Sequence, residues 1–99
     1  MEEPFSPATA RRHAEAILDG PGMTVFTGEA SDCFSEHGMA SQDAINVIRG
    51  GRITASGVGG VWRYRARTRR MTVEFSFRGR ERGATPTELV VERAWRDER

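Results

Sequence analysis

The sequence predicts an α+β fold in which two or three helices pack on one face of a twisted antiparallel sheet of about four strands. Apolar residues recur at helical spacing through the first half of the chain and at alternate positions through the second half. Glycine and proline clusters mark most of the boundaries between these segments. The 99 residues fit one domain, 1–99, with a flexible N-terminus over 1–6, a polar loop over 79–86 and a charged tail over 96–99.

The first half of the chain predicts three helices. Each has a side chain suited to cap its start and a glycine at its end. A short β-rich run, residues 23–27, separates the first two helices. The predicted caps and ends are Ser6 and Gly20, Thr27 and Gly38, and Ser41 and Gly50.

The second half of the chain predicts strands over 52–56, 61–67, 70–78 and 87–95. A turn at Thr68-Arg69 would pair two of them so that Tyr64 faces Val73 and Arg63 faces Glu74. This register puts apolar side chains, Trp62 among them, on the face under the helices. It puts the arginines on the opposite face.

All 15 basic residues are arginine, which excludes any mechanism that needs a lysine. Residues 1–48 carry two arginines and eight acidic residues, a net charge of −6, whereas residues 49–99 carry thirteen and six, a net charge of +7. A basic half of this kind predicts RNA or another polyanion as a partner, with an ordinary solvated face as the alternative.

The best candidate for a nucleic-acid surface is a row of arginines at alternate strand positions. Their spacing of about 6.6–6.8 Å and their forked guanidiniums suit contacts with phosphates. The alternative is that they pair with Glu74 and its neighbours. The predicted nucleic-acid-binding residues are Arg63, Arg65, Arg67, Arg70, Arg78, Arg80 and Arg82.

Other side chains with catalytic chemistry are few. The chain has two histidines (His13 and His37), one tyrosine (Tyr64) and one cysteine (Cys33). Their number and spacing predict no metal site and no cofactor. No apolar stretch has the length of a membrane helix and no signal pattern precedes the domain, so we expect no membrane partner and a cytoplasmic location. The oligomeric state is left open.

Residues 8–96 resemble the RelE-like superfamily of small prokaryotic domains. They are also similar to the motility quorum-sensing regulator-type toxins, which are mRNA endonucleases. The resemblance rests on the following residues: Val25-Phe26-Thr27, Ala30, Phe34, Glu36-His37-Gly38-Met39, Asp43-Ala44-Ile45-Asn46-Val47-Ile48, Gly50-Gly51-Arg52-Ile53, Trp62-Arg63-Tyr64-Arg65, 71–77, Leu89-Val90-Val91 and Ala94-Trp95.

The resemblance implies a RelE-like fold and a toxin-like protein of a toxin–antitoxin system that binds RNA, with an antitoxin or another protein as partner. It also implies metal-independent RNA cleavage as the activity to test. His37 and Tyr64 would carry protons, and Arg65, with its two neighbours in the arginine row, would stabilise the phosphate charge.

Three departures from the family pattern support an alternative function. Glu29 occupies the position of the family's histidine, His37 occupies that of its arginine, and the family's lysines have no counterpart. The alternative is a non-catalytic mobile-element or regulatory protein on the same scaffold, which binds and inhibits a protein or nucleoprotein partner.

Overall fold

A computed structural model describes residues 4–20, 22–58, 61–79 and 86–96, and it has the predicted α+β architecture. Three helices and five strands form one layer of helices and one sheet, in which the strand order is β1-β5-β4-β3-β2. Arg80, Arg82, most of the predicted loop and most of the charged tail lie outside the described residues. The elements in chain order are α1 (Pro7–Asp19), β1 (Met23–Phe26), α2 (Gly28–His37), α3 (Ser41–Gly50), β2 (Arg52–Val58), β3 (Val61–Arg67), β4 (Met71–Arg78) and β5 (Glu88–Arg96).

The sheet differs from the predicted antiparallel sheet of about four strands, because it has five strands and is mixed. The added edge strand β1 pairs in parallel with β5, with Val25 opposite Val90, while the other neighbouring strands are antiparallel. β1 has only four residues. A segment this short carries no local signal that indicates which distant strand it pairs with. The parallel pairing of β1 with β5 could therefore not be predicted.

The first two helices begin and end where the sequence predicts. The Ser6 hydroxyl accepts the Thr9 N–H at the start of α1, and the Thr27 hydroxyl accepts the Ala30 N–H at the start of α2. α2 ends at Gly38, whose φ of 64° lies in the left-handed region that favours glycine.

The third helix begins differently from the prediction. Ala40, not Ser41, is its N-cap residue, and Ser41 is its first helical residue. The Asp43 carboxylate, in the first turn of α3, accepts the N–H of Ala40 at 2.8 Å and so caps the start of the helix.

Among the helices of the described residues, none combines the length and the apolar character needed to span a membrane.

The end of α3 is held by a side chain from α1. Arg11 donates from Nη1 to the carbonyls of Ile48 (3.3 Å) and Arg49, and from Nη2 to the carbonyl of Gly51. These are carbonyls at a helix C-terminus, which lack partners within the helix. Arg11 therefore joins α1 to the end of α3.

The β3–β4 hairpin has the predicted faces, but its predicted register is wrong by two residues. Glu74 lies opposite Arg65 rather than Arg63. The two-residue turn is Arg69-Arg70, because the N–H of Thr68 donates to the Met71 carbonyl at 2.9 Å. A shift of two residues keeps every side chain on its face, so alternation alone does not distinguish these registers.

The core lies between the helices and one face of the sheet. Tyr64 stacks on Phe75, and both rings meet Phe77 edge-on, with centroid separations of 5.3–5.7 Å. Phe5, in the segment expected to be flexible, is 3% exposed and donates its N–H to the Tyr64 hydroxyl at 3.0 Å. Trp62, predicted on the apolar face, is 37% exposed near the start of β3. The helices contribute Ala10, Ala14, Ile17, Ala30, Ala44, Val47 and Ile48 to the same cluster.

Candidate nucleic-acid interface

The face of the sheet opposite the core carries arginines beside a row of buried polar and acidic side chains. Thr72, Glu74 and Ser76 alternate along the central strand β4, and each is at most 4% exposed. Three arginines lie on the neighbouring strand β3 and a further arginine and a tryptophan on β5. These residues are Arg63, Arg65, Arg67, Arg93 and Trp95.

Glu74 holds two of these arginines in place. Its Oε2 accepts from Arg65 Nε at 3.0 Å, and its Oε1 accepts from Arg93 Nε at 3.0 Å and Nη2 at 2.8 Å. Burial acts to raise the pKa of Glu74, but the hydrogen bonds from Arg93 and Arg65 outweigh it and hold that pKa below its usual value. Glu74 is therefore a carboxylate at neutral pH.

The same two arginines lie against the indole of Trp95. The guanidinium carbon of Arg65 is 5.6 Å from the ring centroid, and that of Arg93 is 5.9 Å away. These distances are within the range of cation–π attraction. Glu74 thus fixes the indole indirectly, through the guanidiniums that it binds.

A groove of about 820 Å³ lies where β3 ends and β4 begins. We call it the arginine groove. Among the described residues that line it there are four arginines and no carboxylate, so the lining carries a net positive charge. Its lining residues are Arg52, Arg65, Arg67, Arg69, Thr54, Thr68, Thr72, Trp95 and Gly50.

The arginine groove includes two of the predicted nucleic-acid-binding residues, Arg65 and Arg67. Arg63 lies in a separate pocket, with its Nε 3.5 Å from Glu92 Oε2. Arg70 is exposed in the β3–β4 turn, and Arg78 is exposed at the opposite end of β4. Arg80 and Arg82 fall outside the described residues.

Other groove residues, chiefly Arg52, Arg69 and Trp95, were not among the predicted binding residues. Pairing of β2 with β3 sets Arg52 opposite Arg67 and Thr54 opposite Arg65, which builds the groove wall. The alternation of Arg52 with Thr54 is visible in the sequence. That these two residues form one wall of the groove, however, depends on the pairing of β2 with β3, which was not predicted.

The three predicted catalytic residues do not come together. His37 ends α2, where its Nδ1 accepts the N–H of Arg96 at 3.5 Å. Tyr64 is 0% exposed on the core face, whereas Arg65 is exposed on the opposite face. Successive strand residues point to opposite sides, so Tyr64 and Arg65 cannot act on one phosphate.

The groove can therefore bind anions, but its described lining offers no proton carrier. Guanidiniums stay charged at all physiological pH values, and threonine hydroxyls do not titrate there. No three histidine, cysteine or acidic side chains of the described residues gather into a metal-binding cluster. Comparison of the chain with protein-family models, curated proteins and solved structures finds no match.

Proposed function

We propose that this protein binds RNA through the arginine groove, as a RelE-like toxin-type protein of a toxin–antitoxin pair. The observation that carries the proposal is the groove lining, which contains four arginines and a tryptophan and no described carboxylate. Such a lining is typical of a surface that contacts a phosphate backbone.

The arginines of the groove differ in how they are engaged within the protein. Arg65 is bound to Glu74 through Nε, and its two terminal nitrogens have no hydrogen-bond acceptor among the described residues. Arg52 and Arg69 are exposed and form no ion pair with the described acidic residues. Phosphates can therefore reach these guanidiniums without displacing internal hydrogen bonds.

Two features support RNA over other polyanions. The sequence resemblance is to proteins that act on messenger RNA. The groove also contains an indole, and aromatic side chains on sheet surfaces commonly contact unpaired bases. A polyanion without bases would contact only the arginines and would make no use of the indole.

A second candidate is a non-catalytic mobile-element or regulatory protein that binds and inhibits a protein or nucleoprotein partner. It is favoured over RNA cleavage in the groove by the separation of His37 and Tyr64 from Arg65. Arginine is a poor proton donor, so binding without cleavage fits the described lining better.

The first test is the affinity for a short fluorescein-labelled single-stranded RNA, measured by fluorescence anisotropy. The double variant Arg52→Ala/Arg69→Ala should weaken binding at least about tenfold and lower the salt slope by about 1.4, as expected for two lost phosphate contacts. Arg70→Ala/Arg78→Ala removes the same charge outside the groove lining. It should change the affinity by less than about threefold. An equal loss in both variants would show that net charge, not the groove, binds RNA.

A second experiment separates the two candidate functions. Purified protein is incubated with the same RNA with and without EDTA, and growth is followed on expression of the wild type and of the groove variant. Growth arrest that needs the groove arginines supports the toxin. Harmless expression with intact RNA binding and intact RNA supports the non-catalytic protein.

A further inference from the structure

We propose that Trp95 is a stacking site for an unpaired nucleobase, so that the arginine groove binds nucleotides through both base and phosphate. This inference rests on the proposed RNA binding. It concerns a residue for which the sequence resemblance implies no role in the site.

Trp95 lies in the lining of the arginine groove. Trp95 is the one aromatic side chain among the described residues that line the arginine groove. It is half-buried on β5, so part of the ring is packed and part is open to the groove. The other tryptophan, Trp62, is exposed near the opposite end of the sheet and does not line the groove.

The Trp95 ring is already held in place by two neighbouring guanidiniums. Glu74 binds both Arg65 and Arg93, and both guanidiniums lie within 6 Å of the indole centroid. A base that stacks on this ring therefore has little side-chain freedom left to remove on binding. An isolated surface tryptophan would have no such support.

The groups around the Trp95 ring indicate what kind of ligand the site would take. The terminal nitrogens of Arg65 are available for an anion beside the indole, and Arg52 and Arg67 lie across the groove on paired strands. A ligand that fits must combine a flat ring with a nearby negative charge. A nucleotide with an unpaired base has this combination, and a purine offers the larger stacking surface.

The experiment uses the full chain with Trp62→Phe, so that Trp95 is the only source of tryptophan fluorescence. It is titrated with a short oligoadenylate and, separately, with inorganic polyphosphate of similar charge. We expect oligoadenylate to quench the Trp95 emission and polyphosphate to bind without comparable quenching. Trp95→Ala should weaken oligoadenylate binding about tenfold and change polyphosphate binding less than about twofold.

Two further variants guard against a folding defect. Trp95→Phe keeps a smaller ring and should retain most of the oligoadenylate affinity, whereas Trp95→Leu keeps bulk without a π-face and should lose it. Circular dichroism melting shows which variants are folded. Trp62→Ala is the matched control and should bind both ligands like the wild type.

The outcomes distinguish this inference from the proposed function. If Trp95→Ala and Trp95→Leu weaken neither ligand, or both equally, the stacking site is overturned while the groove remains a phosphate-binding surface. If the wild type binds neither oligoadenylate nor polyphosphate, the proposed function itself fails. Selective loss of oligoadenylate binding in Trp95→Leu, with Trp95→Phe retained, supports the stacking site.

Discussion

Glu74 organises the arginine-bearing face of the sheet from a buried position on its central strand. Its two oxygens bind Arg65 and Arg93, which leave the carboxylate almost no exposed surface. A buried charge is costly unless it is fully hydrogen-bonded, and here three N–H groups supply the bonds. The sequence anticipated that arginines of this face would pair with Glu74. The partner it predicted, Arg63, is wrong, because the register is shifted by two residues and Arg65 lies opposite Glu74 instead.

Replacement of Glu74 should make the protein less stable, and the loss should depend on pH. Glu74→Gln should lower the free energy of unfolding by about 1–3 kcal/mol at neutral pH, because the charge that pairs with two guanidiniums is gone. The folded-state pKa of Glu74 is below its unfolded value. Its contribution is therefore present above about pH 4.5 and is lost as the pH falls through the lowered folded pKa.

Urea unfolding from pH 7 down to pH 3 measures this contribution. The difference between wild type and Glu74→Gln should shrink below about pH 4.5. The control is Asp32→Asn on the exposed side of α2, which should leave stability within about 0.5 kcal/mol of the wild type. A difference between wild type and Glu74→Gln that stays constant over this range would contradict the ion-pair account.

Among the elements, α3 depends on a side chain from another helix. Arg11→Ala should lower the free energy of unfolding by about 1–2 kcal/mol, because three carbonyls at the end of α3 lose their donor. Arg11→Lys should recover only part of this, since an ammonium cannot reproduce the fork of two terminal nitrogens. Urea unfolding monitored by circular dichroism measures both variants.

The neighbouring arginine provides the control for Arg11. Arg12 is exposed, and its described hydrogen bond is to the Thr9 hydroxyl at 3.3 Å within the same helix. Arg12→Ala removes the same charge and should cost less than about 0.5 kcal/mol. Equal losses in Arg11→Ala and Arg12→Ala would point to net charge or helix propensity instead of the contact with α3.

Element boundaries were more predictable than element partners. Hydroxyls such as Ser6 and Thr27 cap the next few backbone N–H groups, so their effect is visible within four residues of sequence. The parallel pairing of β1 with β5, by contrast, joins segments such as Met23 and Glu88 that are far apart in the chain. The groove wall formed by Arg52 and Arg67 depends on strand pairing in the same way.

For the molecule as a whole, the N-terminal segment belongs to the core. Phe5→Ala should lower the free energy of unfolding by about 3–5 kcal/mol, because the ring packs on His13, Tyr64 and Phe77. That is a large share of the 5–15 kcal/mol typical of a folded protein. Thermal melting should show a decrease in Tm of at least about 10 °C.

Truncation of an exposed apolar side chain tests whether burial of the Phe5 ring causes the loss of stability expected for Phe5→Ala. Met23 is 61% exposed, so Met23→Ala should leave Tm within a few degrees of the wild type. If Phe5→Ala melts at the same temperature as the wild type, the segment before α1 does not contribute to the core in solution.

The basic half of the chain is less available to ligands than its charge suggests. Arg49, Arg65 and Arg93 bind the carboxylates of Asp19 and Glu74. In the part of the chain that the structure describes, the exposed arginines without such a carboxylate partner include Arg52, Arg69, Arg70 and Arg78. The location of the groove therefore follows from strand pairing and from internal ion pairs, neither of which composition reveals.

The position of β5 also determines when this protein can fold during its synthesis. β5 lies between β1 and β4, and the Thr27 hydroxyl donates to the Glu92 carbonyl across 65 residues of chain. While β5 is still inside the ribosomal exit tunnel, the nascent chain can form the β2–β3–β4 meander but not the contacts by which β1 and α2 pack on β5. Its apolar face then stays open to chaperones or to aggregation until β5 has left the tunnel.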